Sequence, residues 1–273
     1  MTFQNLFVGG KRSVELCVGV DPHPAVLADW GCSDSPEGLQ SFVGQIAVEL
    51  RSAGVRVVKP QVALFERHGI AGMTALAALL ADLRSGGLHS IGDAKRGDIG
   101  TTMAAYAQAW LTPGADFEVD AVTVSPYLGV GALRPALELA AEHNKGIFVL
   151  AATSNPEASH LQSSRGRSGD TVARQVFAEL EVFHSLHPDT RSTHGVVVGA
   201  TVDQHALGLD LATATGMTVL APGFGAQGVA LADASSLFPH TERLLPVAAR
   251  SLVSGGADGF VDRIHHARSE LGL

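Results

Sequence analysis

The segment Asp93-Ala94-Lys95-Arg96-Gly97-Asp98-Ile99 sets an amine between two carboxylates within a short stretch of chain. It closes an apolar run, Leu88 to Ala94, that reads as a strand. Residues two apart on a strand point to the same side, so Asp93 and Lys95 share a face. Gly97 lets the chain turn and bring Asp98 back toward the same point. Taking such groups out of water is costly unless every charge is paired. An ordered cluster of this kind in a pocket therefore implies proton or charge chemistry, and flanking carboxylates favour the charged form of a lysine.

Eight short apolar or β-branched runs could position that cluster: Glu15 to Val20, Val55 to Lys59, Leu88 to Ala94, Ala121 to Val124, Gly146 to Ala152, Gly195 to Gly199, Thr218 to Leu220 and Leu244 to Ala249. Amphipathic stretches lie between them. In Pro36 to Ala53, Leu39, Phe42, Val43, Ile46 and Leu50 follow the spacing of one helix face. Further helices are expected over Gly72 to Arg84, Thr101 to Leu111, Gly131 to His143, Asp170 to Leu186, Asp203 to Thr215 and Ala257 to Leu271. Such alternation, with nearly continuous apolar strands, predicts an α/β fold in which a parallel sheet closes into a (β/α)8 TIM barrel. The competing arrangement is an open doubly wound sheet. A chain of 273 residues fits one barrel domain, residues 1–273, with a few insertions. Residues 21–37 and 155–169, rich in Pro, Ser, Gly and charged residues, read as long loops or insertions.

Polar residues gather at the ends of the expected strands: Asp21, Lys59, Asp93 with Lys95, Ser125, Ser154 and Arg250. Each alone has a plain structural reading, as a turn cap or a solvated strand end. In a parallel barrel, however, all these ends lie on the rim that carries active sites. The segment Ala221 to Gly228 and Arg250 follow the last two strands, where barrels often bind phosphate through backbone amides. A guanidinium there would add paired hydrogen bonds.

Asp93 and Asp98 could hold Mg2+, but Lys95 would compete for their charge. The His184/His187 pair shares a helix face without an obvious carboxylate or cysteine partner, so no metal site is expected. The net charge of −8 and the scatter of basic residues argue against a nucleic-acid or anionic-membrane partner. Cys17 and Cys32 are poor material for a disulfide and fit a reducing cytoplasm. No leader pattern or membrane-length apolar run is present, so a cytoplasmic location is expected.

Taken in order, Asp21, Lys59, the Asp93-x-Lys95-x-x-Asp98-Ile99 signature, Ser154-Asn155-Pro156, the Pro222-Gly223-x-Gly225-Ala226-Gln227-Gly228 loop and Arg250 give the chain its resemblance to the orotidine 5′-phosphate decarboxylases. It looks most like their longer bacterial branch. The resemblance implies a cofactor-independent carboxy-lyase of pyrimidine biosynthesis that makes uridine 5′-phosphate and CO2 from orotidine 5′-phosphate. It implies a catalytic array of Lys59, Asp93, Lys95 and Asp98, with Lys95 stabilising and protonating the C6 carbanion. It also implies a homodimer with shared sites, in which Asp98 and Thr102 serve the neighbouring subunit. Asp21 and Lys59 would contact the ribose, Ser154 the pyrimidine, and Gln227 and Arg250 the phosphate.

One departure is Ala249, where the family commonly has glycine before the phosphate-binding arginine. Two alternatives stay open. One is a Mg2+-dependent sugar-phosphate decarboxylase or aldolase of the same superfamily, such as a hexulose-phosphate synthase. Those relatives carry a glutamate as metal ligand where this chain has Lys59, and a cation there would repel Mg2+. The other is a non-catalytic nucleotide-phosphate-binding barrel, which would carry the desolvation cost of the array without return.

Overall fold

The computed structural model describes residues 6–7, 13–191, 193–226 and 228–273. Among the described residues, nine strands form one parallel sheet: β1 (Ser13–Val14), β2 (Cys17–Val20), β3 (Val57–Pro60), β4 (His89–Arg96), β5 (Ala121–Val124), β6 (Gly146–Ala152), β7 (Gly195–Val198), β8 (Thr218–Phe224) and β9 (Arg243–Ala248). Strands β2 to β9 pair in sequence order, and β9 pairs back onto β2, so the sheet closes into an eight-stranded barrel. Short β1 runs beside β9 in the same register as β2, separated from it only by Glu15 and Leu16. The open-sheet alternative is thereby excluded.

Two apolar layers hold the barrel. Cys17, Val57, Ile91, Ala121, Phe148, Val197, Leu220 and Leu245 pack inside it. Neighbouring residues on the same strands, such as Val18, Val58, Val122 and Val196, face outward against the helices. This alternation follows from the period of a strand and explains why strands buried on both faces read as continuous apolar runs. Helix Pro36–Ser52 shows the matching logic: Ser35 caps Gly38 N at 3.2 Å, Pro36 occupies the first turn, and Leu39, Phe42, Val43, Ile46 and Leu50 are buried.

Several elements depart from the sequence reading. Residues 203–215 do not form the expected α-helix but turns followed by a short 3-10 segment, Leu211–Thr213. Asp203 Oδ1 accepts from Ala206 N at 2.9 Å and Asp210 Oδ1 from Ala212 N at 3.1 Å, local bonds that compete with a helix ladder. Strand β8 runs on to Phe224, because Pro222 and Phe224 pair with Val247 and Ala248 of β9. Within 21–37 lies the helix Pro24–Asp29, and within 155–169 the helix Ala158–Gln162. Among the described residues no helix is long and apolar enough to cross a membrane.

Candidate active site

The C-terminal ends of the strands surround a cavity of about 440 Å³. Asp21, Lys59, Asp93, Lys95, Ser154 and Arg250 all line it, together with the backbone of Gly223 and Ala226. Its floor is apolar, with Leu150, Val197, Leu220 and Val247 contributed by β6 to β9. Polar groups at the rim above an apolar floor form a site able to hold a ring and a charged group at once.

Asp93 is the centre of the charged cluster. Its Oδ2 accepts from Lys59 Nζ at 2.6 Å and its Oδ1 from Lys95 Nζ at 2.5 Å. Thr123 Oγ1 is the third donor to Asp93 and the second to Oδ1, at 2.9 Å. Asp93 is buried, and burial by itself raises a carboxyl; the ammoniums of Lys59 and Lys95 outweigh it and hold the group well below the usual carboxylate range. Lys59 is also buried, which by itself lowers an amine, but Asp93 and then Asp21 outweigh this and keep it above the ordinary lysine value. Lys59 is thus locked as a cation, while Lys95, with 43% of its side chain exposed, reaches into the open cavity.

The backbone that presents Lys95 is irregular. Gly92 pairs with Val122 and Arg96 with Val124, so Asp93, Ala94 and Lys95 together face the single residue Thr123. Lys95 itself takes the left-handed conformation at φ 48°. Gly97 has a different reason from the turn read in the sequence. A Cβ there would lie 2.5 Å from the Ser125 carbonyl oxygen, so glycine permits a close approach of two chain segments. Ser125 lies outside the cavity lining and supports this backbone, with its N bonded to Arg96 O at 2.8 Å and its Oγ to Lys95 O at 3.2 Å.

Asp98 does not return to Lys95 within the same chain. Its Oδ1 accepts from Ile99 N at 2.7 Å, and neither Asp98 nor Thr102 lines the cavity of its own barrel. The chain leaves β4 directly into helix Gly100–Leu111, which carries Asp98 away instead of folding it back. Gln227 lies outside the described residues. Asp21 Oδ1 is buried with no hydrogen-bond partner among the described residues.

The region 155–169 is tied to the site's edge through Gln162. Its Oε1 accepts from Thr153 N and its Nε2 donates to Thr153 Oγ1, both at 2.9 Å. Thr153 Oγ1 in turn donates to Asn155 Oδ1 at 2.7 Å, so the turn carrying Ser154 is fixed on both sides. Arg165 and Arg167 are exposed and do not line the cavity. At Arg250, the methyl group of Ala249 fits because residue 19 is glycine: a Cβ at Gly19 would come within 2.5 Å of Ala249 Cβ. Sequence reasoning passed over Gln61, Thr123, Thr153 and the apolar floor. Thr123 was detectable as the lone polar side chain of a four-residue buried strand.

Residues 15–254 match the model of the orotidine 5′-phosphate decarboxylase / HUMPS family. The chain belongs to this family. An orotidine 5′-phosphate decarboxylase of Salinispora tropica is 46% identical over 263 residues, covering 94% of this chain and 92% of its own. The enzyme of that name from Corynebacterium efficiens is 43% identical over 260 residues, covering 93% and 90%. The crystal structure of a Streptomyces avermitilis protein assigned as an orotidine 5′-phosphate decarboxylase superimposes with a TM-score of 0.87 at 41% identity, covering 94% of this chain and 90% of that one. The Lys59–Asp93–Lys95 cluster therefore sits in a decarboxylase barrel of the bacterial branch.

Proposed function

We propose that the cavity binds orotidine 5′-phosphate with its C6 carboxylate beside Asp93 and Lys95, and that Lys95 delivers the proton that replaces CO2. The chain is an orotidine 5′-phosphate decarboxylase, a carboxy-lyase that forms uridine 5′-phosphate. The observation that carries the residue roles is the shared carboxylate, with Lys59 and Lys95 bonded to opposite oxygens of Asp93 at the cavity wall.

Loss of CO2 from C6 leaves an electron pair on a vinyl carbon that no adjacent carbonyl can delocalise. A fixed cation beside that carbon is the available stabiliser, and one already oriented costs no reorganisation during the reaction. Lys95 can provide it and then donate a proton to C6. Asp93 holds Lys95 in place and lies near the departing carboxylate, where like charge disfavours the bound substrate over the transition state. Lys59, the more deeply buried amine, keeps Asp93 ionised.

Asp21 Oδ1 would offer an acceptor to a ribose hydroxyl, and Ser154, on the cavity lining, would meet the pyrimidine edge. Arg250, with Gln227 and the amides near Gly223, would take the phosphate. Binding energy from that distant group can then serve the chemistry at the base. No metal or organic cofactor enters this account, and a Mg2+-dependent sugar-phosphate reaction is disfavoured because the Lys59 ammonium already occupies one oxygen of Asp93.

A homodimer with shared sites completes the array. Asp98 and Thr102 lie off their own cavity, and Ile99 between them is 62% exposed; Tyr127 and Leu128, just past the Ser125 that bonds the Lys95 and Arg96 backbone, are 81% and 54% exposed. Tyr106 lies one helical turn beyond Thr102 on the same helix face. A second copy seated on this face would bury these groups and bring its Asp98 toward Lys95. The proposed setting is cytoplasmic, with no nucleic-acid or membrane partner.

Following the ultraviolet absorbance of orotidine 5′-phosphate with purified protein, with and without a metal chelator, tests this reading. Fast conversion to uridine 5′-phosphate that ignores the chelator is expected. Loss of activity with chelator would overturn the cofactor-free mechanism.

A further inference from the structure

Strand β5 reads Ala-Val-Thr-Val, and its polar member, Thr123, is 1% exposed at the barrel interior. A buried hydroxyl must find partners, and Thr123 finds two that belong to the reaction centre. Its Oγ1 accepts from Lys95 N at 3.0 Å and donates to Asp93 Oδ1 at 2.9 Å. The first bond repairs a gap in the sheet. Because three residues of β4 stand opposite Thr123, the ladder lacks a backbone acceptor for Lys95 N–H, and the side chain supplies it.

The second bond follows from the first. With a lone pair engaged by Lys95 N–H, the hydroxyl proton is directed to the carboxylate that also receives Lys95 Nζ. Lys95 is thereby held at both ends, its backbone by Thr123 and its ammonium by Asp93, and Thr123 joins the two anchors. A left-handed lysine persists only where its surroundings over-determine it.

We infer that Thr123 is a positioning residue of the decarboxylation, whose hydroxyl locks the bulged β4 backbone so that the Lys95 ammonium is aimed from Asp93 into the cavity. The inference rests on the reading of Lys95 as the proton donor. It predicts an effect on the chemical step that is separate from substrate binding, because the candidate phosphate and pyrimidine contacts come from other strand ends. A misaimed reacting group costs on the order of 10- to 100-fold in rate.

The test compares Thr123→Val, which keeps the shape and removes the hydroxyl, with Thr123→Ser, which restores it. For Thr123→Val, kcat on orotidine 5′-phosphate should fall roughly 10- to 100-fold, with KM and the affinity for uridine 5′-phosphate nearly unchanged. Thr123→Ser should recover most of kcat. A Thr123→Val enzyme with wild-type kcat would overturn the inference, and so would a serine variant as slow as the valine one, since packing of the methyl group would then be the cause. Should the valine variant not fold, Thr123→Ala against Thr123→Ser decides on the same criterion. A crystal structure of the hydroxyl-free variant should show Lys95 moved out of hydrogen-bond reach of Asp93. That readout does not depend on turnover, so failure of the decarboxylase reading, seen as an inactive wild type, remains distinct from failure of this one.

Discussion

Lys59 and Asp93 form the most deeply buried ion pair among the described residues, with Nζ 2.6 Å from Oδ2 and side chains 6% and 9% exposed. Removing one member of such a pair strands a charge in a poorly solvated place, which typically costs about 3–5 kcal/mol. Asp93→Ala is therefore expected to lose stability near the lower end of that range, because Asp21 still faces Lys59. Denaturant unfolding against the wild type measures it, and an unchanged midpoint would show that the pair contributes nothing net.

The same pair gives a two-sided pH dependence. Asp93 titrates lower in the folded protein than its unfolded value of about 3.9, so its contribution is present above that value and lost as the pH falls toward the folded one. Lys59 titrates higher than its unfolded value of about 10.4, so its contribution is present below that value and lost as the pH rises through the folded one. Thermal melts should show both losses, and Asp93→Ala should flatten them.

A second acid-sensitive element lies outside the cavity lining. Burial lowers His184 to about 3, helped by His194 and Arg191, and lowers His194 to about 4 against the pull of the Leu137 carbonyl. Both fold as neutral rings, and both ring nitrogens of His184 lack a partner among the described residues. Their stabilising effect is complete above about pH 6.5 and is lost as the pH falls toward the folded values. His184→Leu should melt less steeply with acid between about pH 6.5 and 4 while keeping wild-type turnover at neutral pH.

Arg250→Ala tests the phosphate end. Losing a charge-assisted contact should cost about 1.5–3 kcal/mol of substrate binding, read as a rise in KM on the order of 10- to 100-fold. Unchanged kinetics would remove Arg250 from the site.

Sharing of sites between subunits has its own signature. Asp98→Ala and Lys95→Ala chains, each inactive alone, should recover activity when mixed, because one of the two sites in a hybrid dimer then carries both intact residues. No recovery despite proven subunit exchange would contradict a shared site.

The barrel was legible because its strands are buried on both faces and its helices carry one apolar stripe, as in Pro36–Ser52. The Asp93–Lys95 pairing was legible from strand parity, although the structure reaches it through a bulge and a left-handed lysine that parity does not predict. The return of Asp98 to Lys95 of its own chain fails because a glycine in sequence does not say whether the chain turns or is merely approached closely, and at Gly97 it is approached. The helix expected over 203–215 failed because Asp203 and Asp210 bond their own backbone. The ties of Thr123 to Asp93 and of Gln162 to Thr153 join residues on different elements, and single-sequence periodicity carries no information about such contacts.

The central claim is that Lys95 delivers the proton to C6. It is tested most directly by the turnover of orotidine 5′-phosphate by Lys95→Ala, alongside its melting temperature and its affinity for uridine 5′-phosphate. The account predicts a folded protein that still binds the product and has lost turnover; activity near the wild-type level would contradict it.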